Sequence, residues 1–424
     1  MELSEKNLRF GLFFIFITLL LSNASSFFRV IWLIPQVVIV QSILFLILSA
    51  ISIWLMYKED FLFTFIHSLR KNWVVIPFLV FSLISIFWSI GKESSIFRWI
   101  IFLSTFILGG YFSLKYSKRE IIKIVSVFNI MLLGLSTVFI LTLPSLSIMH
   151  YFPYEGTWQG IFWHKNHMGL IVSLMNIIFL LQVIDSLNKK KQYQVNWGFL
   201  YIASLLFLYK TGAVGAYLTT IGVHGVFLAL FLWMKFRHLL NKKHYIILII
   251  VLLVFALIVF KNLDTIFGIF GRTSSLTGRI PMWKALYENY FTKRPYFGYG
   301  FNAFWYYYPH RSTMQSLTGW GNPPVISDNG FFDILINTGI VGFVLFCVFY
   351  LGLWYRSIKI LRTASNVLDL FPVTFMAFTF IANLSFSLIF ETEAYIMLLM
   401  MMLLFLSLGW DKQGKKTNFR SNLI

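Results

Sequence analysis

A single cysteine, Cys347, excludes an intramolecular disulfide and a thiolate metal centre; inside an apolar run it reads as a small packing residue. Charge is scarce as well. Only 12% of the residues are charged and 58% are hydrophobic, and the charged share is roughly half that of a soluble domain. Acidic residues are the scarcer sign, 16 against 35 Lys and Arg. No soluble module of domain size is left over at either end. The first apolar stretch lacks an Ala-x-Ala-like cleavage site and reads as a retained span.

What is present is a succession of long apolar runs, each near the ~20 residues that cross a bilayer. Spans are expected at about 9–22, 33–56, 73–90, 97–114, 120–142, 166–187, 195–209, 213–234, 245–260, 331–355, 370–389 and 394–409. The expected fold class is therefore all-α: a polytopic integral membrane protein of about 12 transmembrane helices, residues 1–424 forming one membrane domain. Most of the 35 Lys and Arg fall on alternate connections, including "NKKK", "KFRHLLNKKH" and "DKQGKKTNFR". The positive-inside rule makes that side, with both termini, cytoplasmic. The net charge of +19 thus orients the chain and calls for no nucleic acid. One outward connection, 261–330, is far longer than the rest, and a connection of that length is usually functional.

Three polar stretches gather on the outward side. "GIFWHKNHMG", residues 160–169, sets His164, Lys165, Asn166 and His167 at the mouth of the sixth span. Lys165 offers charge and Trp163 a surface; the plainer reading is an interfacial anchor. In the long loop, "TGRIPMWKALYENYFTKRP" starts like a helix, with Thr277 as a cap, Pro281 in the first turn, and Trp283, Tyr287 and Tyr290 along one face. Arg279 then lies beside free backbone N–H groups, a combination that favours phosphate, and Arg272 adds a second fork. Downstream, Trp305, Tyr306, Tyr307 and Tyr308 read either as an interfacial belt or as a platform for sugar rings. The third stretch, "SDNGFFDILINTGIVGFVLF", carries Asp328 and Asn329 into the tenth span, with Asp333 a turn further in. An ionisable group there is a functional candidate, although each aspartate also suits a helix cap.

These stretches, "WHKNHMG", "TGRIPMWKALYENYFTKRPYFGYGFNAFW" and "SDNGFFDILINTGIVGFVLF", in that order, resemble the bacterial O-antigen ligase and polysaccharide polymerase superfamily. The resemblance covers about 160–346 in detail and the rest as hydropathy. It implies a helical bundle with a partly helical extracytoplasmic loop over a central cavity. It implies an inverting glycosyltransferase without metal or other cofactor. The donor would be a glycan on a polyprenyl (undecaprenyl) diphosphate carrier at the outer face of the bacterial cytoplasmic membrane. The acceptor would be the next lipid-linked repeat of a capsule or exopolysaccharide, or a lipid A core sugar in a ligase. A chain-length regulator and a flippase are the implied partners beside the lipid bilayer. Arg279 matches the loop arginine that contacts diphosphate. The family's second arginine has Lys210 of "YKTGAVGAYL" as its nearest cation here. The family histidine, the acceptor base, falls on Asp328; His167 and His164 are the other candidate bases.

The chemistry of the residues agrees with such a reaction. A diphosphate leaving group gathers negative charge, which preorganised cations stabilise: Arg279, Arg272, Lys165 and Lys210. No Asp-x-Asp occurs to hold a metal, and Glu391 and Glu393 read as a solvated outer turn. The alternatives are a lipid-linked oligosaccharide flippase, against which the long loop weighs, and a non-catalytic assembly subunit, which would tolerate loss of Arg279.

Overall fold

The computed structural model describes residues 17–18, 37–151, 154–188, 194–238, 279–318, 323–389 and 394–409. Expected spans 9–22, almost entirely, and 245–260, entirely, lie outside the described residues, as do Arg272, Thr277, Glu391 and Glu393.

The described elements are helical, apart from one isolated antiparallel bridge between Ile148 and Trp158. Helix α1 (Val37–Lys58) is followed by the short α2 (Leu62–Lys71) and by α3 (Ile76–Ile84), which 3₁₀ turns extend at both ends. Then come α4 (Lys92–Lys115), α5 (Lys118–Thr142), α6 (Lys165–Asn188), α7 (Gln194–Thr211) and α8 (Val214–Phe236). The long loop contributes α9 (Arg279–Asn289) and α10 (Tyr308–Thr318). The chain closes with α11 (Gly330–Arg362), α12 (Phe371–Asn383) and α13 (Ala394–Gly409). Among the described residues six helices are long and apolar enough to cross a membrane; a seventh candidate is the pair around Asn72, bent by 71°. Helix α2 buries Phe65 and Ser68 and exposes Phe63 and Ile66, with Arg70 and Lys71 in its last turn. That is the build of a helix lying along a membrane interface.

Helix α4 packs against α1 and α13, α6 against α7 and α8, and α12 against α8 and α11. The core is apolar and aromatic, with Phe45, Phe78, Phe128, Phe179, Phe346 and Tyr395 fully buried. Connections assigned to one side by charge meet one another. At one end Lys115 pairs with Glu59 at 2.7 Å, Lys118 with Asp369, and Arg237 donates to the Ala364 carbonyl at 3.1 Å. At the other end Ser94 and Ser95 donate to the carbonyls of Asn302 and Phe301, at 2.9 and 2.7 Å, and Lys165 donates to that of Gly212 at 2.8 Å.

The expected tenth span, 331–355, is not one continuous helix. Gly339 takes φ 65° and ψ −173°, which breaks α11 into a short entry segment and a long one ending at Arg362. The loop segment 295–304 docks into the break. Pro295 and Tyr296 carbonyls accept from Ile340 and Val341 N–H at 2.7 and 3.1 Å, while Tyr299 and Gly300 N–H donate to the Ile336 and Asn337 carbonyls at 3.3 and 2.9 Å. Asn337 adds its side chain: Oδ1 accepts from Ala303 and Phe304 N–H at 2.9 and 3.0 Å, and Nδ2 donates to the Asp333 carbonyl at 2.8 Å. Backbone groups freed by the break are thus paired within the protein, as burial away from water requires. The approach is close enough that a Cβ on Gly298 would lie 2.6 Å from the Asn337 carbonyl.

The loop has its own small core. Met282 and Leu286 of α9, and Tyr290 just after it, pack with Tyr299, Phe304, Trp305, Met314 and Ile336. Of the expected Trp283–Tyr287–Tyr290 line, Tyr290 is buried, Trp283 is partly buried against this core and Tyr287 is exposed, with Met282 and Leu286 taking the innermost places on α9. His310 sits among the rings of Tyr290, Tyr299, Phe304 and Tyr307 at 4.6–5.2 Å. Burial, with Arg294 and Lys293 nearby, pushes its pKa from 6.5 down to about 4. A histidine held neutral contributes stability that is present above its unfolded value and is lost as pH falls through the folded one. Protection of the loop amides against hydrogen exchange should therefore decline between pH 6.5 and about 4, and His310→Phe should flatten that decline. An equal decline in the variant would assign the acid sensitivity to other groups.

Candidate functional site

The site is built where α9 meets the entry of α11. Arg279 is the first residue of α9, as expected, and its Nε lies 3.1 Å from Asp328 Oδ2. Among the described residues that carboxylate is its one polar partner, so both terminal guanidinium nitrogens stay open. Asp328 does not cap the helix, contrary to one expectation. Asn329 does, its Oδ1 accepting from Phe332 N–H at 3.1 Å. Asp328 instead has φ 56°, a left-handed conformation uncommon for a side-chain-bearing residue, and this turns its carboxylate toward Arg279. Burial pushes the Asp328 carboxyl above its ordinary value, and Arg279 offsets part of that rise.

Neighbouring groups hold this turn. Trp283 Nε1 donates to the Ser327 carbonyl at 2.8 Å, and the Ser327 hydroxyl donates to the Asn329 carbonyl at 2.9 Å. Asp333 is fully buried and works as an anchor. Its carboxylate accepts from Trp305 Nε1 at 2.7 Å, from Ser327 N–H at 3.1 Å, and from the Ser387 hydroxyl. A buried carboxylate needs such donors, and here they tie the loop, the helix entry and the segment after α12 together. Trp305 is accordingly buried and drops out of the expected aromatic platform, leaving Tyr306, Tyr307 and Tyr308 exposed.

The "WHKNH" stretch forms a second cluster at the same end of the bundle. His164 Nδ1 accepts from Asn166 N–H at 3.1 Å, at the start of α6. That ring nitrogen is therefore unprotonated, and burial beside Lys165 pushes the pKa down to about 4. His167 is buried against the Phe162 ring at 5.0 Å. The Lys165 ammonium, 3% exposed as a residue, reaches the Gly212 carbonyl at 2.8 Å and lies 4.8 Å from the Tyr154 ring centre. It thus sits on the "KTGA" turn. Lys210 of that turn is exposed, its Nζ 5.8 Å from the Trp158 ring centre. Packing links the two clusters. Gly215 lies against Ser385 and Phe386, and the Phe386 carbonyl accepts from Gly330 N–H at 3.0 Å. Among the described residues no three His, Cys, Asp or Glu converge as a metal site would require.

The anchoring roles of Asp333, Trp305, Asn337 and Ser387 were missed in sequence, apart from the sign that Asp333 is an ionisable group inside a span. Nothing in "PYFGYG" beyond its two glycines announces docking into a broken helix.

The oriented arginine and the carboxylate facing it lie in a segment of the chain that resembles known proteins. Residues 199–347, which include Arg279, Asp328 and Asp333, match the O-antigen ligase family. The chain is also similar to the exopolysaccharide production protein ExoQ of Rhizobium meliloti, 25% identical over 299 residues, or 67% of this chain. It spans 65% of the length of that relative. The two matches support the expected superfamily, that of O-antigen ligases and polysaccharide polymerases.

Proposed function

We propose that this protein polymerises polyprenyl diphosphate-linked oligosaccharide repeats into a surface polysaccharide, at the outer face of the bacterial cytoplasmic membrane and without a metal. The observation that carries this reading is the Arg279–Asp328 pair: a guanidinium held by its Nε at 3.1 Å, with its forked end open. That open edge suits a diphosphate bidentately. The acceptor hydroxyl oxygen attacks the anomeric carbon from the face opposite the carrier. The sugar–diphosphate C–O bond breaks, its electron pair goes to the diphosphate oxygen, and the hydroxyl proton goes to Asp328. Arg279 stabilises the leaving charge as it grows, and Lys165 adds positive potential from the neighbouring cluster. Lys210 as a further donor contact stands on the resemblance, Arg272 on its place seven residues before Arg279, and His167 and His164 as alternative bases on their place in the "WHKNH" stretch.

Asp328→Asn is expected to stop turnover while the lipid-linked donor still binds, since the amide keeps the shape and loses the base. In the parent protein the acid limb of the rate should lie above pH 3.8, because burial raises the Asp328 carboxyl. Full rate in the asparagine variant would move the base elsewhere. The assay is elongation of a lipid diphosphate-linked repeat by purified protein with EDTA present, read as a ladder on a gel. The family's description favours a second reading, a ligase. In that case no ladder forms, and one glycan moves to a supplied core acceptor.

A further inference from the structure

Arg98 is a charged residue within α4, a membrane-crossing helix, and only 8% of it is exposed. Such a placement is costly unless the charge is used. Its guanidinium donates to the Tyr306 hydroxyl, and its central carbon lies 5.5 Å from the Tyr306 ring centre. Tyr306 is fixed at its other end as well. The residues before it are pinned by Ser94 and Ser95 on α4, by Asn337 on α11, and by the Trp305–Asp333 hydrogen bond. Yet 41% of Tyr306 stays exposed.

We propose that Arg98 is a positioning residue that presents the Tyr306 ring as a stacking surface for a pyranose of the oligosaccharide substrate. An interfacial-belt tyrosine keeps its hydroxyl for water and lipid headgroups. Here the hydroxyl accepts from a buried cation that also lies over one side of the ring, while 41% of the residue stays exposed. The face of an aromatic ring carries negative potential, and the C–H face of a pyranose is its complement. A ring tied at both ends loses little freedom on binding, so its contact area converts to affinity with less entropic loss. Tyr306 is also continuous with the transfer site: its chain neighbour Trp305 shares Asp333 with Ser327, which precedes Asp328. The choice of a glycan occupant rests on the glycosyltransferase reading above.

The test uses full-length protein in bilayer nanodiscs. The probe is the oligosaccharide released by mild acid from the source strain's own surface polysaccharide, and binding is read by calorimetry and by saturation transfer to sugar protons. Tyr306→Ala and Tyr306→Leu should each weaken binding by about tenfold, and Tyr306→Trp should restore it to within about threefold of the parent. Arg98→Gln should weaken binding while Arg98→Lys, which keeps a donor to the hydroxyl, should weaken it less. Unchanged binding in Tyr306→Leu, failure of tryptophan to restore it, or no binding by the parent protein would each overturn the proposal. Tryptophan rescue also separates a stacking role from a folding defect. Turnover is not the readout. A parent protein that binds the sugar through Tyr306 yet transfers nothing would leave the platform standing and sink the transferase reading.

Discussion

Arg279→Ala is expected to lower glycan transfer by about 10²–10³-fold, the scale for removing one preorganised donor from a developing anion. Expression and extraction should stay normal, because the side chain bonds a single carboxylate and lies at the surface of the helical core. Arg279→Lys separates charge from geometry. Lysine keeps the positive charge but cannot hold Asp328 through Nε and leave a fork open, so it should recover only a small part of the rate. Arg279→Ala also removes the partner that lowers the Asp328 carboxyl, so the acid limb of any residual activity in that variant should move to higher pH. Gel-resolved elongation of a lipid-linked repeat across a pH series measures both effects. Parent-level transfer by the alanine variant would remove Arg279 from the chemistry and favour a non-catalytic subunit or a transporter.

Gly339→Ala should have the second largest effect, and it acts on architecture. The residue sits at φ 65° and ψ −173°, a region almost closed to residues with a Cβ, at a backbone cost of ~1–3 kcal/mol. A Cβ there would also collide with the Tyr296 backbone. Relief is available only if segment 295–304 leaves the break, which exposes the Ile336 and Asn337 carbonyls and the Ile340 and Val341 N–H groups. The Tyr299 and Gly300 amides, which donate into the break at 3.3 and 2.9 Å, should then exchange about tenfold to a hundredfold faster. Activity should fall with them, because the same segment carries Trp305, which holds Asp333 and through it the Ser327–Asp328 turn. Parent-like protection of those two amides would mean that the docking seen in the structure is not what Gly339 serves.

How much of this was legible in sequence depends on the range of the interaction. Apolar runs, their lengths and the sidedness of Lys and Arg are local properties. Ten of the expected spans fall on described helices, six of which are long and apolar enough to cross a membrane, and connections assigned to one side meet one another. Helix α9 is described from Arg279 onward, where Pro281 in the first turn and the period of Trp283, Tyr287 and Tyr290 suggested a helix. The break at Gly339 was invisible, since "INTGIVG" reads as continuous apolar helix until the carbonyls and N–H groups of another segment supply the missing hydrogen bonds. The aspartates show the same limit. Asp328, Asn329 and Asp333 are all competent caps or ligands by composition, and only their partners separate them: Phe332 N–H for Asn329, Arg279 for Asp328, and Trp305, Ser327 and Ser387 for Asp333.

By itself the sequence determined that this chain is a helical membrane protein, which stretches of it collect the polar residues, and which residue types are at hand there. Those features follow from hydropathy and net charge, which are sums over neighbouring residues. The tertiary structure decided which arginine is oriented with its fork open, which aspartate turns toward it and which is locked away, and that a span is broken to receive the loop. Those depend on hydrogen bonds between residues up to dozens or hundreds apart in the chain, such as Trp305 with Asp333 and Ser95 with Phe301, and no local property of the sequence encodes them.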